Sequence, residues 1–373
     1  MSFWSDFVVT NPKEWEQKVL KDFKTKVKED FIFKTDYGNI NPFSKNVNSL
    51  HISRNEILKE IRWKFSSQKN LNKAILNRLN NGVNSIYLSG IKFKKTIFKN
   101  VMCDIINNHI KLSPKWSGND LQLWNNWGIS IASGTLRMDP LEDMLENYDD
   151  HQLKVQLDSY LNFKKTLNNQ NLNCIYVDCT SHESYFKNYG LEIAVTAAHL
   201  NEIIEFHKSN KIEIPPRFII SIAINNSYLE SVSKIIAIRT LIHRISNAHQ
   251  LNINIEIETV ISPKILQNKE FDFRLMSITC ICMASLLGGA NSFELSDDLI
   301  ESNDEYWKKI IVNIPLILTE ESHLNNHMSE GAHVIEEMAS KMAHKSWSLF
   351  KNIETQNGLL QLLKTNQFSN FIK

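Results

Sequence analysis

The chain has 373 residues, enough to bury a large core as one big α/β domain or two ordinary ones. Its 42 basic and 41 acidic residues give a formal net charge of +1, so no overall field draws it to nucleic acid or to an anionic membrane. The five cysteines include no Cys-x-x-Cys pair, and the N-terminus lacks the basic and apolar regions of a signal peptide. These features predict a cytoplasmic protein.

Residues 1–70 are predicted to form an N-terminal extension, because only short elements stand out there. Residues 15–23 (WEQKVLKDF) indicate a short amphipathic helix, and the Asp, Gly, Asn and Pro residues of TDYGNINPF (35–43) indicate turns. From about residue 71 onward, helical stretches alternate with short apolar runs. The first such helix, NKAILNRLNNGV, is predicted to end at Gly82.

Short runs rich in apolar and β-branched residues follow at regular intervals. The predicted strands are SIYLSG (85–90), WGISIASG (127–134), CIYVDC (174–179), RFIISIAI (217–224), INIEIETV (253–260) and SFEL (292–295). Strands that alternate with helices predict a parallel sheet buried on both faces. About seven such units fit a closed (β/α)8 TIM-type barrel better than an open sheet. We therefore predict one barrel over residues 71–373, behind the N-terminal extension.

One uncharged stretch, residues 275–293, needs to be distinguished from a membrane span. Its apolar part stops at Gly288 and Gly289, well short of the ~20 apolar residues that a span requires. The stretch therefore predicts a buried helix that ends at a glycine pair, and no membrane association.

Histidines are densest in LTEESHLNNHMSEGAHVIEEM (318–338), which contains His323, His327 and His333. The spacing of His323 and His327 suits two metal ligands on one helix face. The Asn, Ser and Gly residues among them indicate a loop without fixed geometry instead. We therefore predict no metal site in this segment and no stoichiometric zinc or iron in the chain.

A second polar group lies in SGTLRMDP (133–140), directly after a predicted strand. Barrel enzymes place functional loops at the ends of their strands. Arg137 and Asp139 could bind a polar ligand there or pair with each other, and the pairing is the favoured interpretation.

Six segments carry a more specific signal when they are taken in order. They are TDYGNINPF (35–43), VDCTSHESYFKNYGLEIA (177–194), SYLESVSKIIAIRTLIHRI (227–245), LGGANSFEL (287–295), NIPLILTEES (313–322) and HVIEEMASKMAHKSWSLFKNIE (333–354). Together they resemble the barrel domain of the methylmalonyl-CoA mutase family, from roughly residue 12 to the end. The resemblance implies a (β/α)8 barrel and an acyl-CoA rearrangement that depends on adenosylcobalamin.

The departures from the family pattern fall on positions that the resemblance assigns to the substrate channel. Ser277 and Ile281 stand where the family has an arginine and a glutamate, and Ile219 replaces a serine. The family's histidine before an Ala-Gly pair has no counterpart, since Tyr185 and Lys187 are the nearest residues and His182 lies outside the register. Ile219 and other branched side chains are expected to fill the barrel and to exclude a pantetheine-sized ligand.

The pair Asp149-x-His151 resembles the start of the cobalamin-binding pattern DxHxxG, but Lys154 holds the glycine position. We therefore expect no cobalamin-binding domain and no cofactor bound by this chain. Four positions that correspond to functional positions of the family could still contact cobalamin or CoA. They are Arg217, Asn291, Glu320 and Glu321.

The resemblance is strongest to the small, non-catalytic subunit of a heterodimeric mutase. It implies no catalytic residues here, adenosylcobalamin in the partner, and a large subunit as that partner. Phe3, Trp4 and Trp15 are the interface candidates, because aromatic-rich arms commonly anchor interfaces. Two alternatives stay open: an active acyl-CoA mutase barrel that works with a separate cobalamin-binding chain, and an unrelated barrel enzyme that uses the histidines.

Overall fold

The computed structural model describes most of the chain from residue 11 to residue 368. The described ranges are 11–24, 27–43, 58–66, 70–89, 100–105, 110–115, 134–142, 144–167, 173–186, 188–266, 270–300 and 305–368. The predicted strand 127–134 lies outside these ranges except for Gly134.

The strands and helices alternate along the described chain. The strands are β1 (Phe33–Thr35), β2 (Gly38–Ile40), β3 (Glu60–Phe65), β4 (Ser85–Leu88), β5 (Lys111–Pro114), β6 (Ile175–Cys179), β7 (Arg217–Ile224), β8 (Asn254–Ile261) and β9 (Ser292–Ser296). The helices are α1 (Pro12–Asp22), α2 (Leu71–Asn80), α3 (Asp150–Thr166), α4 (His182–Tyr185), α5 (Tyr189–Ser209), α6 (Tyr228–Ala248), α7 (Pro263–Leu266), α8 (Phe271–Gly288), α9 (Glu305–Leu316), α10 (His333–Thr355) and α11 (Gly358–Lys364).

Strands β3 to β9 form one parallel, seven-stranded sheet in the order β5-β4-β3-β9-β8-β7-β6. Because β3 pairs with β9, the first strand of the series lies beside the last, which is the closure of a barrel. Residues 134–137 run parallel to β5 through bridges from Leu112 to Gly134 and from Lys115 to Arg137, and they occupy the place of a further barrel strand. The chain is therefore a (β/α)8 TIM-type barrel, as the sequence predicts.

The barrel begins earlier than the predicted boundary at residue 71. Strand β3 pairs in parallel with both β4 and β9 and is therefore a barrel strand. Its sequence, EIRWKF, alternates charged with apolar residues, and the charged ones face the barrel axis. This pattern differs from the continuous apolar runs that marked the other strands.

The alternate strand residues that face outward pack with the helices in one large apolar cluster. Its strand members include Ile61, Trp63, Ile86, Ile175, Val177, Phe218, Ile220, Ile222, Ile255, Ile257, Phe293 and Leu295. Helices α5, α6 and α10 pack against one another over this layer. The core of the protein therefore lies between the barrel wall and its helices.

Helix α8 is long and apolar enough to cross a membrane, but more than half of it is buried inside this fold. It packs on α6 so closely that a Cβ added at Gly288 would lie 2.7 Å from Ile235 Cδ1. Gly289 then ends the helix with φ +83°, in the left-handed region that favours glycine. The prediction of a buried helix that ends at a glycine pair is confirmed.

Candidate functional site along the barrel axis

The barrel axis is lined mainly by polar and charged side chains. The inward-facing residues include Glu60, Arg62, Lys64, Ser85, Tyr87, Lys111, Ser113, Arg137, Cys174, Tyr176, Asp178, Arg217, Ile219, Ser221, Ala223, Glu256, Glu258, Val260, Ser292 and Glu294. Successive strand residues point to opposite faces, so the apolar face toward the helices leaves this polar set inside the barrel.

Arg137 lies at the centre of the interior and is almost fully buried. Its Nη2 donates to Glu258 Oε2 at 2.8 Å and to Glu294 Oε2 at 3.1 Å, and its Nη1 donates to the Tyr176 hydroxyl at 2.8 Å. The guanidinium carbon also lies 4.0 Å from the ring centroid of Tyr87. Burial alone would lower the pKa of Arg137, but Glu258 and the other neighbouring groups raise it well above its usual range. The guanidinium is thus a permanent cation with its partners already in place.

A second cation, Arg62, lies next to this group. It forms ion pairs with Glu60 and with Glu258, and Lys111 Nζ contacts Glu60 Oε1 at 2.6 Å. Burial acts to raise the pKa of Glu60, but the charges of Arg62 and Lys111 overcome it and lower that pKa to about 2. The buried carboxylates are therefore balanced by buried or half-buried cations.

The end of the barrel at the strand N-termini is held by Arg217. This half-buried side chain binds Glu256 through two contacts, Nε to Oε1 at 3.0 Å and Nη2 to Oε2 at 2.8 Å. Its Nη1 also donates to the Gly134 carbonyl at 2.9 Å. In TIM barrels this end usually serves stability, whereas the opposite end carries the active site.

The opposite end, at the strand C-termini, carries an acidic group. Glu142 contacts Lys115, and burial together with the charge of Asp178 raises the pKa of Glu142 to about 7. Asp178 accepts a hydrogen bond from the Tyr176 hydroxyl at 3.3 Å. A carboxyl that titrates near neutral pH can exchange protons, and such groups occur both in functional sites and in structural networks.

Two predictions about this region are wrong in detail. Arg137 and Asp139 do not pair, since they point to opposite faces: Arg137 binds glutamates on the axis, while Asp139 Oδ1 contacts His199 Nε2 at 3.0 Å behind the sheet. Branched aliphatic residues do not fill the axis either. Ile219 does point inward, where it packs with Cys174 and Tyr176, but most of the inward-facing positions are polar or charged.

Comparison with known proteins identifies the family. The sequence profile of the family described as methylmalonyl-CoA mutase matches residues 130–373, which is more than half of the chain. The chain belongs to the methylmalonyl-CoA mutase family.

Among curated members of the methylmalonyl-CoA mutase family, the methylmalonyl-CoA mutase small subunit of Streptomyces virginiae is 27% identical over 110 residues. That match covers 28% of this chain and only 18% of the relative. Among solved structures, Yersinia pestis dihydropteroate synthase matches at 12% identity with a TM-score of 0.40, over 74% of this chain and 98% of that one. A triple mutant of Plasmodium falciparum HPPK-DHPS matches at 11% identity with a TM-score of 0.42, over 85% and 55%. Structural similarity at this level does not support any inference about function.

The four positions that the family resemblance suggested for cofactor contact are dispersed in the structure. Asn291 Oδ1 accepts hydrogen bonds from the Ile257 amide at 3.0 Å and from Arg239 Nη2 at 3.1 Å, at the start of β9. Glu320 and Glu321 are exposed in the π-helical turn Ile317–Glu321 that follows α9. The structure therefore does not bring these residues together with Arg217.

The two family positions on α8 are buried in the helical layer, where Ile281 joins the apolar cluster and Ser277 lies one helical turn before it. Tyr185, in α4, is exposed, and Lys187 lies outside the described residues. Ser277, Ile281 and Tyr185 therefore lie outside the strands that line the axis.

The Asp149-x-His151 pair belongs to the start of a helix. Asp149 is the N-cap of α3, and its side chain accepts a hydrogen bond from the Gln152 amide at 2.7 Å. Asp150, between them, pairs with Lys364 of α11. The aspartate therefore caps a helix, which accounts for its presence at this position.

The histidines of residues 318–338 are spread over different local structures. His323 is exposed and has φ +51°, and exposed His333 begins α10. His327 lies in the 3-10 turn Asn326–Ser329, and its side chain is outside the described part of the chain. The segment is irregular between its helices, as the sequence predicts.

Sequence reasoning missed a different cluster behind β6. Cys179, His182 and His199 are buried, and one potential ligand atom from each lies within 4.8 Å of the other two. The signal that could have found the first two is the Cys-x-x-His spacing of residues 179–182. His199 comes from the middle of α5, and only the packing of that helix on β6 brings it near.

Proposed function

We propose that this chain is the small, non-catalytic subunit of an adenosylcobalamin-dependent methylmalonyl-CoA mutase. In this proposal it works in the cytoplasm, in a heterodimer with a large subunit that interconverts methylmalonyl-CoA and succinyl-CoA. The observation that carries the proposal is the occupied, charge-balanced axis of the barrel.

An acyl-CoA that threads the barrel needs an open passage and a cation for its acyl carboxylate. Arg137 is the central buried cation. Glu258, Glu294 and Tyr176 already engage both of its Nη atoms, and its buried Nε has no hydrogen-bond partner among the described residues. A substrate carboxylate would have to displace one of these buried glutamates. Leaving a buried charge without its partner costs about 3–5 kcal/mol, so substrate binding at this position is strongly disfavoured.

The described residues also do not fit cobalamin. The Asp-x-His pair that resembles a cobalamin motif begins α3, and Asp149 is committed to capping that helix. His182 and His199, which lie near the barrel wall, are buried behind β6 with Cys179. We therefore assign adenosylcobalamin, which supplies the radical chemistry, to the partner subunit.

An exposed aromatic surface near the N-terminus supports the partnership. Trp15, Phe23 and Phe33 are 45%, 52% and 50% exposed, and the Trp15 ring lies 4.8 Å from that of Phe43. A groove of about 360 Å³ runs between α1 and the β1–β2 hairpin. Large aromatic residues are enriched at the centres of protein interfaces, so this surface is our candidate for the large-subunit contact. Phe3 and Trp4 lie outside the described residues and remain candidates on sequence grounds.

The alternative is an active acyl-CoA mutase barrel that borrows cobalamin from a separate chain. Its support is that Arg137 meets Tyr87 and Tyr176 inside the barrel, and these residue types suit binding of an acyl carboxylate and carbonyl. It requires the buried glutamates to move away from Arg137.

The test measures mutase turnover with methylmalonyl-CoA and adenosylcobalamin for the full chain alone, for the large subunit encoded in the same genome, and for the two together. We expect no turnover by the chain alone and a stable complex with the large subunit. Turnover by the chain with a cobalamin-binding module that is itself inactive would establish the alternative instead.

The interface is tested separately by titrating the large subunit with variants of the chain. Trp15→Ala is expected to weaken the complex about 30-fold, the effect of losing a hot-spot tryptophan worth about 2 kcal/mol. Tyr306→Ala, which removes an exposed aromatic from α9, serves as the matched control and should change the affinity little. Equal affinities for both variants would contradict the proposed surface.

A further inference from the structure

The three-residue cluster behind β6 has the composition of a transition-metal site. Cys179 Sγ lies 4.0 Å from His199 Nδ1, and His182 brings one ring nitrogen within 4.8 Å of both. All three side chains are 0–2% exposed. One thiolate and two imidazoles are ligands that favour Zn²⁺ over the hard cations Mg²⁺ and Ca²⁺.

The ligands come from three consecutive elements. Cys179 ends β6, His182 begins the single turn of α4, and His199 lies in the middle of α5. Cys179 faces away from the barrel axis, in the same direction as Ile175 and Val177, so the cluster lies between the sheet and the helices. An ion at this point would tie one strand to the two helices that follow it.

Asp139 orients His199 in the way that metal-binding histidines are usually oriented. Its Oδ1 lies 3.0 Å from His199 Nε2, and it also accepts hydrogen bonds from the amides of Asp178 at 2.7 Å and Leu141 at 2.9 Å. The carboxylate therefore engages Nε2 and leaves Nδ1 facing the cysteine. A carboxylate on the distal nitrogen of a ligand histidine is the common second contact in zinc sites.

A buried ring nitrogen of His182 without a hydrogen-bond partner in the described part of the chain is a second, independent indication of a metal site. Its Nδ1 lies 3.3 Å from Thr196 Oγ1, while its Nε2 is buried and has no hydrogen-bond partner among the described residues. Thr196 Oγ1 donates its own proton to the Glu192 carbonyl at 3.0 Å, so it accepts a hydrogen bond from Nδ1 of His182. A neutral imidazole offers the lone pair that a metal requires.

The distance between Cys179 and His199 is close to that of a bound site, and the two distances to His182 lie within 4.8 Å. With Zn–S bonds of about 2.3 Å and Zn–N bonds of about 2.1 Å, tetrahedral geometry places the two ligand atoms about 3.6 Å apart. The 4.0 Å between Cys179 Sγ and His199 Nδ1 exceeds this by a few tenths of an ångström, so binding an ion would draw the three side chains closer together. We propose that Cys179, His182 and His199 bind one structural Zn²⁺ ion, with water at the fourth position.

This site departs from the expectation, drawn from the sequence, that the chain binds no metal. It is also independent of the proposed subunit role. The competing interpretation is a dry hydrogen-bonded cluster in which protonated His199 pairs with Asp139, since the pKa of His199 is raised well above its usual range despite its burial. That cluster would not bind zinc, so the two interpretations predict different metal contents.

The experiment measures zinc by elemental analysis in the full chain, purified with its affinity tag removed and dialysed against buffer containing a small excess of Zn²⁺ and then against metal-free buffer. We expect about one zinc per chain. Cys179→Ser and His182→Gln should each lower the content at least tenfold. Cys282→Ser and His207→Gln replace a buried cysteine in α8 and a buried histidine in α5 outside the cluster, and they should leave the content unchanged.

Cobalt exchange gives a second readout that does not depend on how well each variant folds. Co²⁺ bound to the wild-type chain should show the near-ultraviolet thiolate-to-cobalt charge-transfer band, and Zn²⁺ should abolish it by displacement. Metal-free wild-type chain should also gain several degrees of melting temperature when zinc is added. A zinc content below one-tenth per wild-type chain, or full content retained by both cluster variants, would overturn the proposal.

Discussion

Replacing Arg137 by methionine tests the central claim about the barrel axis, that this guanidinium is a structural cation. The substitution keeps an unbranched side chain of similar length but removes the charge. Glu258 keeps its ion pair with Arg62, whereas Glu294 loses its ion pair with Arg137 at 3.1 Å and the Tyr176 hydroxyl loses a donor at 2.8 Å.

Breaking a buried pair by removing one partner usually costs about 3–5 kcal/mol, because the remaining charge stays buried without compensation. The lost hydrogen bond to Tyr176 adds about 1 kcal/mol. We therefore expect the free energy of unfolding to fall by about 4–6 kcal/mol at pH 8. Burial already raises the pKa of Glu294, and without Arg137 this carboxyl should protonate at a still higher pH. The loss should consequently shrink toward pH 5.

Urea unfolding followed by circular dichroism measures this effect, with Arg217→Met as the matched control. Arg217 also binds a glutamate through two contacts, but it is half-buried at the end of the barrel, so its replacement should cost about 1 kcal/mol. The double variant Arg137→Met with Glu294→Gln should recover part of the loss. A loss below 1 kcal/mol for Arg137→Met, or one that does not depend on pH, would refute the structural assignment and favour a ligand-binding role.

Three further predictions concern stability. Burial and the charge of Glu202 raise the pKa of Glu354 from 4.5 to about 7, so this group's contribution to stability is present below about pH 4.5 and is lost as the pH rises through about 7. Glu354→Gln should therefore raise the melting temperature at pH 8 on the order of 1–3 °C and leave it unchanged at pH 5, as calorimetry can measure; equal shifts at both pH values would contradict this reasoning. Asp149→Ala, which removes the N-cap of α3, should cost about 1 kcal/mol in urea unfolding, whereas Asp149→Asn should cost little. Gly289→Ala should cost about 1 kcal/mol because φ is +83°, with Gly289→Asn costing less, and an equal cost for both substitutions would show that conformation is not the cause.

The strands that could be predicted from the sequence are those with continuous apolar runs. RFIISIAI corresponds to β7 and CIYVDC to β6, because the few polar residues in each run are outnumbered by large aliphatic ones. Strand β3 was missed because Glu60, Arg62 and Lys64 face the axis, and charged residues at alternate positions are typical of an exposed strand. Only the partners across the barrel show that this polar face is buried.

The candidate sites were harder to predict because each depends on residues far apart in the chain. Arg137 lies 121 positions from Glu258 and 157 positions from Glu294, and nothing local in the sequence joins them. The same limit applies to Cys179 and His199, which are separated by 20 positions and meet only when α5 packs on β6. The two-residue spacing of Arg137 and Asp139 would place both side chains on one face of a regular strand. The pairing beside β5 ends at Arg137, however, and Asp139 contacts His199 on the other side of the sheet.

The arrangement of ion pairs points to a role in specifying the barrel. Buried ion pairs contribute little net stability compared with apolar packing, so their presence needs another explanation. Arg137, beside β5, reaches across the axis to Glu258 of β8 and Glu294 of β9, and Arg62 of β3 also binds Glu258. These contacts join strands that are not neighbours in the sheet, so a strand in the wrong register would leave several charges buried and unpaired.

The seam between residues 134–137 and β6 shows why such contacts matter. In the described part of the chain this seam has no ladder of backbone hydrogen bonds, in contrast to the other strand pairs. It is joined by Arg137 to the Tyr176 hydroxyl on the axial side and by Asp139 to the Asp178 amide, at 2.7 Å, on the helical side. Asp139 also holds His199 of the proposed zinc site, so the same carboxylate connects the barrel seam to that cluster. The polar residues of this barrel thus join this seam from both faces of the sheet.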